Sequence, residues 1–150
     1  MDPLSISMAA LSISTLCVSV VQKIKSIVET MKRTRQALLS LLQAAERLRL
    51  YLEVLRGLTA QLHDPSQRAL HLAFNDSECR QTVVDLQAFV GKIAAKGAPF
   101  ELWRKINWVY YKDDADAMVV RLQKQEGHIS CLLVFIAAWV FRSNVNKSPF

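Results

Sequence analysis

The chain has 150 residues, enough for one domain with a buried core, and 51% of them are hydrophobic, which excludes an intrinsically disordered protein. Its formal net charge of +6 favours acidic partners such as anionic lipids, nucleic acids or acidic proteins. Four glycines and four prolines are too few to separate a series of strands, and the stretch from Leu4 to Leu55 contains neither. We therefore predict an all-α fold, a bundle of four long helices with one or two short ones.

The first predicted helix begins after Asp2 and Pro3, since an acidic residue followed by proline is common at helix starts. Apolar residues then recur at alternating spacings of four and three, which is the pattern of one buried helix face. They are Ile6, Ala10, Ile13, Cys17, Val20, Ile24, Ile27 and Met31. Serines at 5, 12, 19 and 26 lie on a neighbouring face, where small side chains allow another helix to approach closely.

The beginning of this helix is also unusual in charge, because the 20 residues from Pro3 to Gln22 carry none. As a helix, this run is just long enough to cross a bilayer. A secretory signal is not expected, since the charged residue that precedes the run is the acidic Asp2. Several serines lower its hydrophobicity, so we interpret it as a helix that can enter a membrane without residing there permanently.

Three further long helices are predicted. The second extends from Thr34 to Leu62 and carries a leucine stripe; a short helix is possible in the stretch from His63 to Asn75. Asn75 and Glu78 have the spacing of a capping box, so a third helix begins there and ends near Gly97, which can close a helix.

After Pro99 we predict a compact aromatic segment up to Tyr111, followed by a last helix from Ala115 to Phe141 capped by Asp113 or Asp114. Its second half, Ile129 to Phe141, is apolar on every face, which indicates a central core helix. The predicted domain is therefore the bundle of residues 1–142, and residues 143–150 form a polar tail or the start of a linker.

No catalytic or ligand-binding motif is present. The sequence has no glycine-rich phosphate loop and no nucleophile elbow, and its three histidines do not pair with a cysteine at the spacing of metal ligands. We therefore predict no enzyme activity, no catalytic residue, no metal and no cofactor. Cys17, Cys79 and Cys131 are interpreted as buried free thiols in a reducing cytosol.

Two features point towards function. The uncharged run is followed by five cations, and a membrane-entering helix with a basic flank obeys the positive-inside rule. These cations are Lys23, Lys25, Lys32, Arg33 and Arg35. The simpler alternative is a core helix whose basic end is solvated.

The second feature is the aromatic and basic segment that contains Trp103 and Trp108. Tryptophans beside cations can lie at a lipid headgroup interface or stack on nucleobases. The simpler alternative is that these side chains close one end of the bundle. Since no recognition-helix pattern accompanies the segment, nucleic acid is an unlikely partner.

The opening sequence Met1-Asp2-Pro3-Leu4-Ser5-Ile6, with the run of small and apolar residues up to Gln22, resembles a fungal family of N-terminal domains, the HeLo-like domains. The resemblance extends to the leucine-rich second helix and to Trp103 before the last helix. These domains occur in fungal NLR-type receptors and in amyloid-controlled cell-death proteins. They are similar to the four-helix executioner domain of mixed-lineage kinase-like pseudokinases.

The resemblance implies a domain that is cytoplasmic when inactive and that oligomerises on activation at the plasma membrane, triggered by a receptor or amyloid-forming region outside this chain. The N-terminal helix would then insert and permeabilise the membrane. The residues implied to insert are Leu4, Ile6, Met8, Leu11, Ile13, Leu16, Val18, Val20 and Val21. The five cations would bind anionic headgroups, and Trp103 and Trp108 would lie at the interface. The rival hypothesis is a passive helical adaptor that binds a partner protein and never enters lipid.

Overall fold

The computed structural model describes residues 2–30, 35–62, 73–95 and 101–146, with the backbone alone at 101–110 and at a few helix ends. In this part of the chain there are four helices and no strand, which confirms the all-α prediction. The helices are α1 (Pro3–Thr30), α2 (Arg35–Ala60), α3 (Asp76–Ala95) and α4 (Glu101–Asn146). The predicted short helix and the cations Lys32 and Arg33 lie outside the described residues.

The four helices pack as a bundle in which each has two neighbours. Helix α1 packs against α2 and α3, and α4 packs against the same two helices. Within the described residues α1 and α4 do not contact each other, so they lie diagonally opposite across the bundle. The interface between α1 and α2 is the most extensive, and that between α3 and α4 is the smallest.

The core is built from the apolar stripes that the sequence predicts. In α1 the stripe from Ile6 to Ile24 is fully buried, and in α2 the leucine stripe from Leu38 to Leu55 has no exposed member. Helix α3 contributes Cys79, Val83 and Leu86. Because these residues recur every three or four positions, each helix turns one continuous apolar face towards its neighbours.

Helix starts follow the predicted capping. The Asp2 carboxylate accepts a hydrogen bond from the Ser5 backbone N–H at 2.7 Å, and the Asn75 side chain accepts one from the Glu78 N–H at 3.1 Å. Glu78 returns the contact by accepting a bond from the Asn75 side-chain amide at 3.4 Å. The free N–H groups at the first turns of α1 and α3 are therefore partly satisfied by side chains.

Helix α4 differs from its prediction at the N-terminal end. It is one continuous helix of 46 residues, about 69 Å long, that begins at Glu101 and includes the aromatic segment. Asp113 and Asp114 therefore lie inside the helix and cap nothing. The physical reason is that no proline or glycine occurs between Pro99 and Gly127, so nothing in this stretch stops helix propagation.

The second half of α4 also differs, because it is not a central core helix. Ile129, Leu132 and Ile136 face the bundle, whereas Val134 and Phe135 on the other side are 68% and 53% exposed. Among the described helices α4 has neighbours on one side of its axis, so these helices cannot fully cover an apolar surface that runs all around it. Cys131 is likewise exposed, which contradicts its interpretation as a buried thiol. The helix continues to Asn146, so residues 143–146 are helical.

Candidate functional site

Helix α1 presents two apolar faces, and the residues predicted to insert into a membrane are divided between them. Ile6, Ile13, Val20 and Val21 are buried in the core, and Leu16 is half-buried. The other four lie in solvent, with exposed fractions of 64% for Leu4, 66% for Met8, 52% for Leu11 and 37% for Val18. Helix α1 thus buries one face and leaves a second apolar face, Leu4-Met8-Leu11-Val18, uncovered.

This uncovered face is a continuous stripe along the helix. Leu4, Met8, Leu11 and Val18 are separated by four, three and seven residues, with the exposed Thr15 between the last two. Such spacing places them in one row over about four turns. The row carries no charge, and the first cation after it is the exposed Lys23. Helix α1 therefore carries an exposed, uncharged apolar stripe along its first four turns, with its cations in the turns that follow.

The structure places two of the five predicted headgroup-binding cations. Lys23 is exposed, and the Lys25 ammonium lies 3.0 Å from the Glu46 carboxylate on α2. Both groups of this ion pair are well solvated, so it contributes at most about 1 kcal/mol. Arg35 is the first residue of α2, described by its backbone. The headgroup-binding role of Lys32 and Arg33 stays a prediction, because both residues lie outside the described part of the chain.

Trp103 and Trp108 lie in the first turns of α4, a helix that does not contact α1 in the described part of the chain. The structure describes the backbone at these positions, so their interfacial role stays a prediction. It does not bring the tryptophans together with the apolar face of α1, because α1 and α4 occupy opposite corners of the bundle.

Helix α1 is held in the bundle mainly by apolar packing. Its polar contacts with neighbouring helices include the Ser7 hydroxyl, which donates to the Arg56 carbonyl at 3.4 Å, and the Ser12 hydroxyl, which accepts from the Arg80 guanidinium at 3.0 Å. Both bonds are exposed, so their net contribution is small. Displacement of α1 is therefore opposed chiefly by the loss of its buried aliphatic contacts.

Two thiols are buried in the core, one on α1 and one on α3. They are Cys17 and Cys79, respectively. Burial raises the pKa of each thiol from 9.0 to about 12; the Cys79 thiol adds to the effect at Cys17, and the Glu78 carboxylate adds to it at Cys79. Both thiols are protonated and unreactive in the folded domain.

These buried thiols predict a loss of stability at high pH. Above pH 9 the unfolded chain releases both protons while the folded domain keeps them, so the free energy of unfolding falls as the pH rises from 9 towards 12. At pH 10 the two thiols together should lower it by about 3 kcal/mol relative to pH 8. Urea unfolding at pH 8 to 10 measures this slope. In a Cys17→Ala/Cys79→Ala variant the slope should be flatter; equal slopes would contradict the assignment.

By length and composition the segment Pro3–Glu29 could cross a membrane, although half of its most apolar window is buried and core helices meet the same criterion. No group of three or more histidine, cysteine, aspartate or glutamate side chains suited to a metal ion occurs in the described ranges.

One exposed apolar surface was not predicted from the sequence. It is the outward side of the second half of α4. Val134, Phe135 and Phe141 were interpreted as core, yet all three are exposed. The signal was present, since a bundle helix needs one apolar stripe and this segment is apolar all round.

Comparison with models of protein families assigns the chain to a family. A family model described as "Pigment biosynthesis cluster protein PigL N-terminal" matches residues 1–145. The chain belongs to this family. The match identifies it as a fungal type of helical domain, which agrees with the prediction of a fungal, all-helical domain. No curated protein and no solved structure matches the chain significantly.

Proposed function

We propose that this domain is a non-enzymatic, membrane-targeting cell-death effector, in which α1 permeabilises the plasma membrane after the domain self-associates. The proposal joins the resemblance to the HeLo-like domains with the exposed apolar stripe of α1. On this proposal the domain is cytoplasmic at rest and moves to the plasma membrane when activated. Its partners are anionic lipids, further copies of itself, and a receptor or amyloid-forming region outside this chain.

The observation that carries the proposal is the exposed row Leu4-Met8-Leu11-Val18, which is followed within two turns by the exposed cations Lys23 and Lys25. Aliphatic side chains left in water gain about 1.5–3 kcal/mol each when they are fully buried, so an apolar surface of lipid attracts this face. Nearby cations add about 1 kcal/mol each at an anionic leaflet. First contact with a membrane therefore requires no rearrangement of the bundle.

Insertion is a second step, because the other face of α1 is in the core. Ile6, Ile13 and Val20 would exchange contacts with α2 and α3 for contacts with lipid tails, which are equally apolar. The exchange is close to neutral for these side chains, whereas the bundle left behind exposes its own apolar surface to water. That surface must be covered by other copies of the domain, which is the physical reason for coupling insertion to self-association.

The proposal is tested by dye release from anionic vesicles. Leu11→Asp places a carboxylate in the exposed row without entering the core, and we expect release to fall about tenfold or more, since a charge on the lipid-facing side costs about 3 kcal/mol. Val54→Asp is the matched control, because Val54 on α2 is 51% exposed against 52% for Leu11. Wild type and Val54→Asp should release dye equally.

Deletion of the first helix is unsuited to this purpose, since it removes core residues such as Ile13 together with the exposed row. If Leu11→Asp releases dye as well as wild type does, the inserting-helix mechanism is wrong. Equal losses in Leu11→Asp and Val54→Asp would mean that net charge, rather than α1, controls the activity.

The alternative function is a passive adaptor that binds a partner protein. It is favoured by the buried half of α1 and by the serines along the helix, which reduce the gain from insertion. On this hypothesis the row Leu4-Met8-Leu11-Val18 receives an apolar surface of another protein. The two functions separate in the vesicle experiment, since an adaptor neither binds nor permeabilises vesicles at any concentration of the domain.

A further inference from the structure

The solvent side of α4 carries a second apolar seam, opposite to the one that faces the core. One set of its residues repeats every seven positions: Val120, Gly127, Val134 and Phe141. A second set is interleaved with the first: Lys124, Cys131, Ala138 and Val145. All eight residues are exposed, and alternating spacings of four and three join them into one row of nearly four heptads. We call this row the outer seam.

The outer seam has the pattern of a two-stranded coiled coil rather than of a solvated helix face. Seven of its eight positions are apolar or small, and the exception, Lys124, ion-pairs with Glu78 on α3 at 3.3 Å. The long aliphatic stem of Lys124 can pack against a neighbour while its ammonium stays in water. Phe141 is the most exposed large side chain of the row, at 71%.

We propose that the outer seam pairs with the outer seam of a second copy, in antiparallel orientation, to form a dimer in solution. This inference goes beyond the proposed function and stands without it, since it concerns α4 in the absence of lipid. A second copy is favoured over an unrelated partner because the seam complements itself in both size and charge.

Size complementarity fixes the register. In the antiparallel pair that we propose, residue 129 of one copy lies level with residue 129 of the other. This register places Val120 opposite Ala138 of the other copy and Gly127 opposite Cys131. The same register places the large Phe141 opposite the small, exposed Ala117. Each of these three layers combines a larger with a smaller side chain, which allows the two helices to pack closely.

Charge complementarity fixes the orientation. In this register the exposed Arg142 of one copy lies beside the exposed carboxylates of residues 113, 114 and 116 of the other, of which Asp114 is the nearest on the same flank. A parallel pair in register would instead place the seam residue Lys124 directly against Lys124 of the other copy, and would keep Arg142 and Asp114 at opposite ends of the seam. Opposite charges across the seam favour the antiparallel pair, and like charges disfavour the parallel one.

The dimensions of the outer seam indicate a weak dimer. The 26 residues from Val120 to Val145 span about 39 Å, and a helix is about 10 Å wide, so each copy offers on the order of 400 Å². Stable interfaces bury about 800 Å² on each partner. The dimer should therefore form in the micromolar range or above, and must be sought at high protein concentration.

Sedimentation equilibrium of the whole chain without lipid tests the proposal. At about 100 µM we expect a substantial dimer fraction, and Val134→Glu should weaken association about tenfold or more, since it places a charge in the centre of a small interface. Val84→Glu on the exposed side of α3 is the control and should leave the dimer unchanged. A wild-type chain that stays monomeric, or a Val134→Glu dimer of undiminished strength, would overturn the proposal.

Cysteine pairing tests the register independently. In a Cys131→Ala background, Val120→Cys/Ala138→Cys should form intermolecular disulfides on mild oxidation, while either cysteine alone should form few, because only the pair is opposed in the antiparallel register. A parallel pair would instead cross-link Cys131 of the native chain directly. Disulfides through Cys131 with none through the engineered pair would refute the antiparallel register.

Discussion

On anionic vesicles, Cys79 of a Cys131→Ser variant should become reactive towards a water-soluble maleimide, while Cys17 should stay protected. In solution both thiols are buried, and burial raises the pKa of each to about 12. If α1 leaves the bundle and enters lipid, Cys79 on α3 loses its cover until other copies of the domain pack over it. While Cys79 is uncovered its pKa returns towards 9, which raises its thiolate fraction at pH 8 by about a thousandfold. Cys17 moves with α1 into the bilayer, where the reagent does not reach it.

Peptide mass spectrometry after a timed labelling reaction distinguishes the possible outcomes. Labelling of both cysteines would mean that vesicles unfold the domain rather than insert α1. Labelling of neither, under conditions that release dye, would show that α1 stays in the bundle and acts through its exposed row. Neutral vesicles are the control, because the proposed attraction depends on anionic headgroups; they should leave both thiols protected.

The fold was predictable from the sequence because the core stripes keep strict helical spacing. Ile6 to Ile24 in α1 and Leu38 to Leu55 in α2 repeat without interruption, and Asn75 with Glu78 marks the start of α3 by capping chemistry alone. The predicted start of α4 was wrong because Asp113 and Asp114 have the residue type of an N-cap. The residue type alone does not show whether they occupy the N-cap position. The absence of a helix breaker between Pro99 and Gly127 was the stronger signal.

The candidate site was predictable in composition but not in detail. Leu4 and Ile6 were both predicted to insert, although only Ile6 belongs to the stripe whose spacing predicts a buried face; Ile6 is fully buried and Leu4 is 64% exposed. That difference depends on which side of α1 faces α2 and α3, a property of the tertiary arrangement. The same reason explains why Phe135 was assigned to the core, since an all-round apolar helix shows no preferred face.

A charge at Ile13 should unfold the domain, whereas a charge two residues away at Leu11 should leave it folded. Ile13 is fully buried and Leu11 is 52% exposed. Ile13→Asp loses an aliphatic contact and places a carboxylate without a partner in the core, at a cost of several kcal/mol out of a typical 5–15 kcal/mol. Leu11→Asp should change the free energy of unfolding by about 0.5 kcal/mol or less. Urea unfolding followed by circular dichroism measures both.

Ile13→Val is the control for volume alone and should cost about 0.5–1.5 kcal/mol. If Ile13→Asp is as stable as wild type, α1 is not docked in the resting domain, and insertion then requires no release step. A large loss of stability in Leu11→Asp would mean instead that the row Leu4-Met8-Leu11-Val18 is covered in solution. The pair of substitutions therefore determines which face of α1 is free to meet a membrane before any lipid is added.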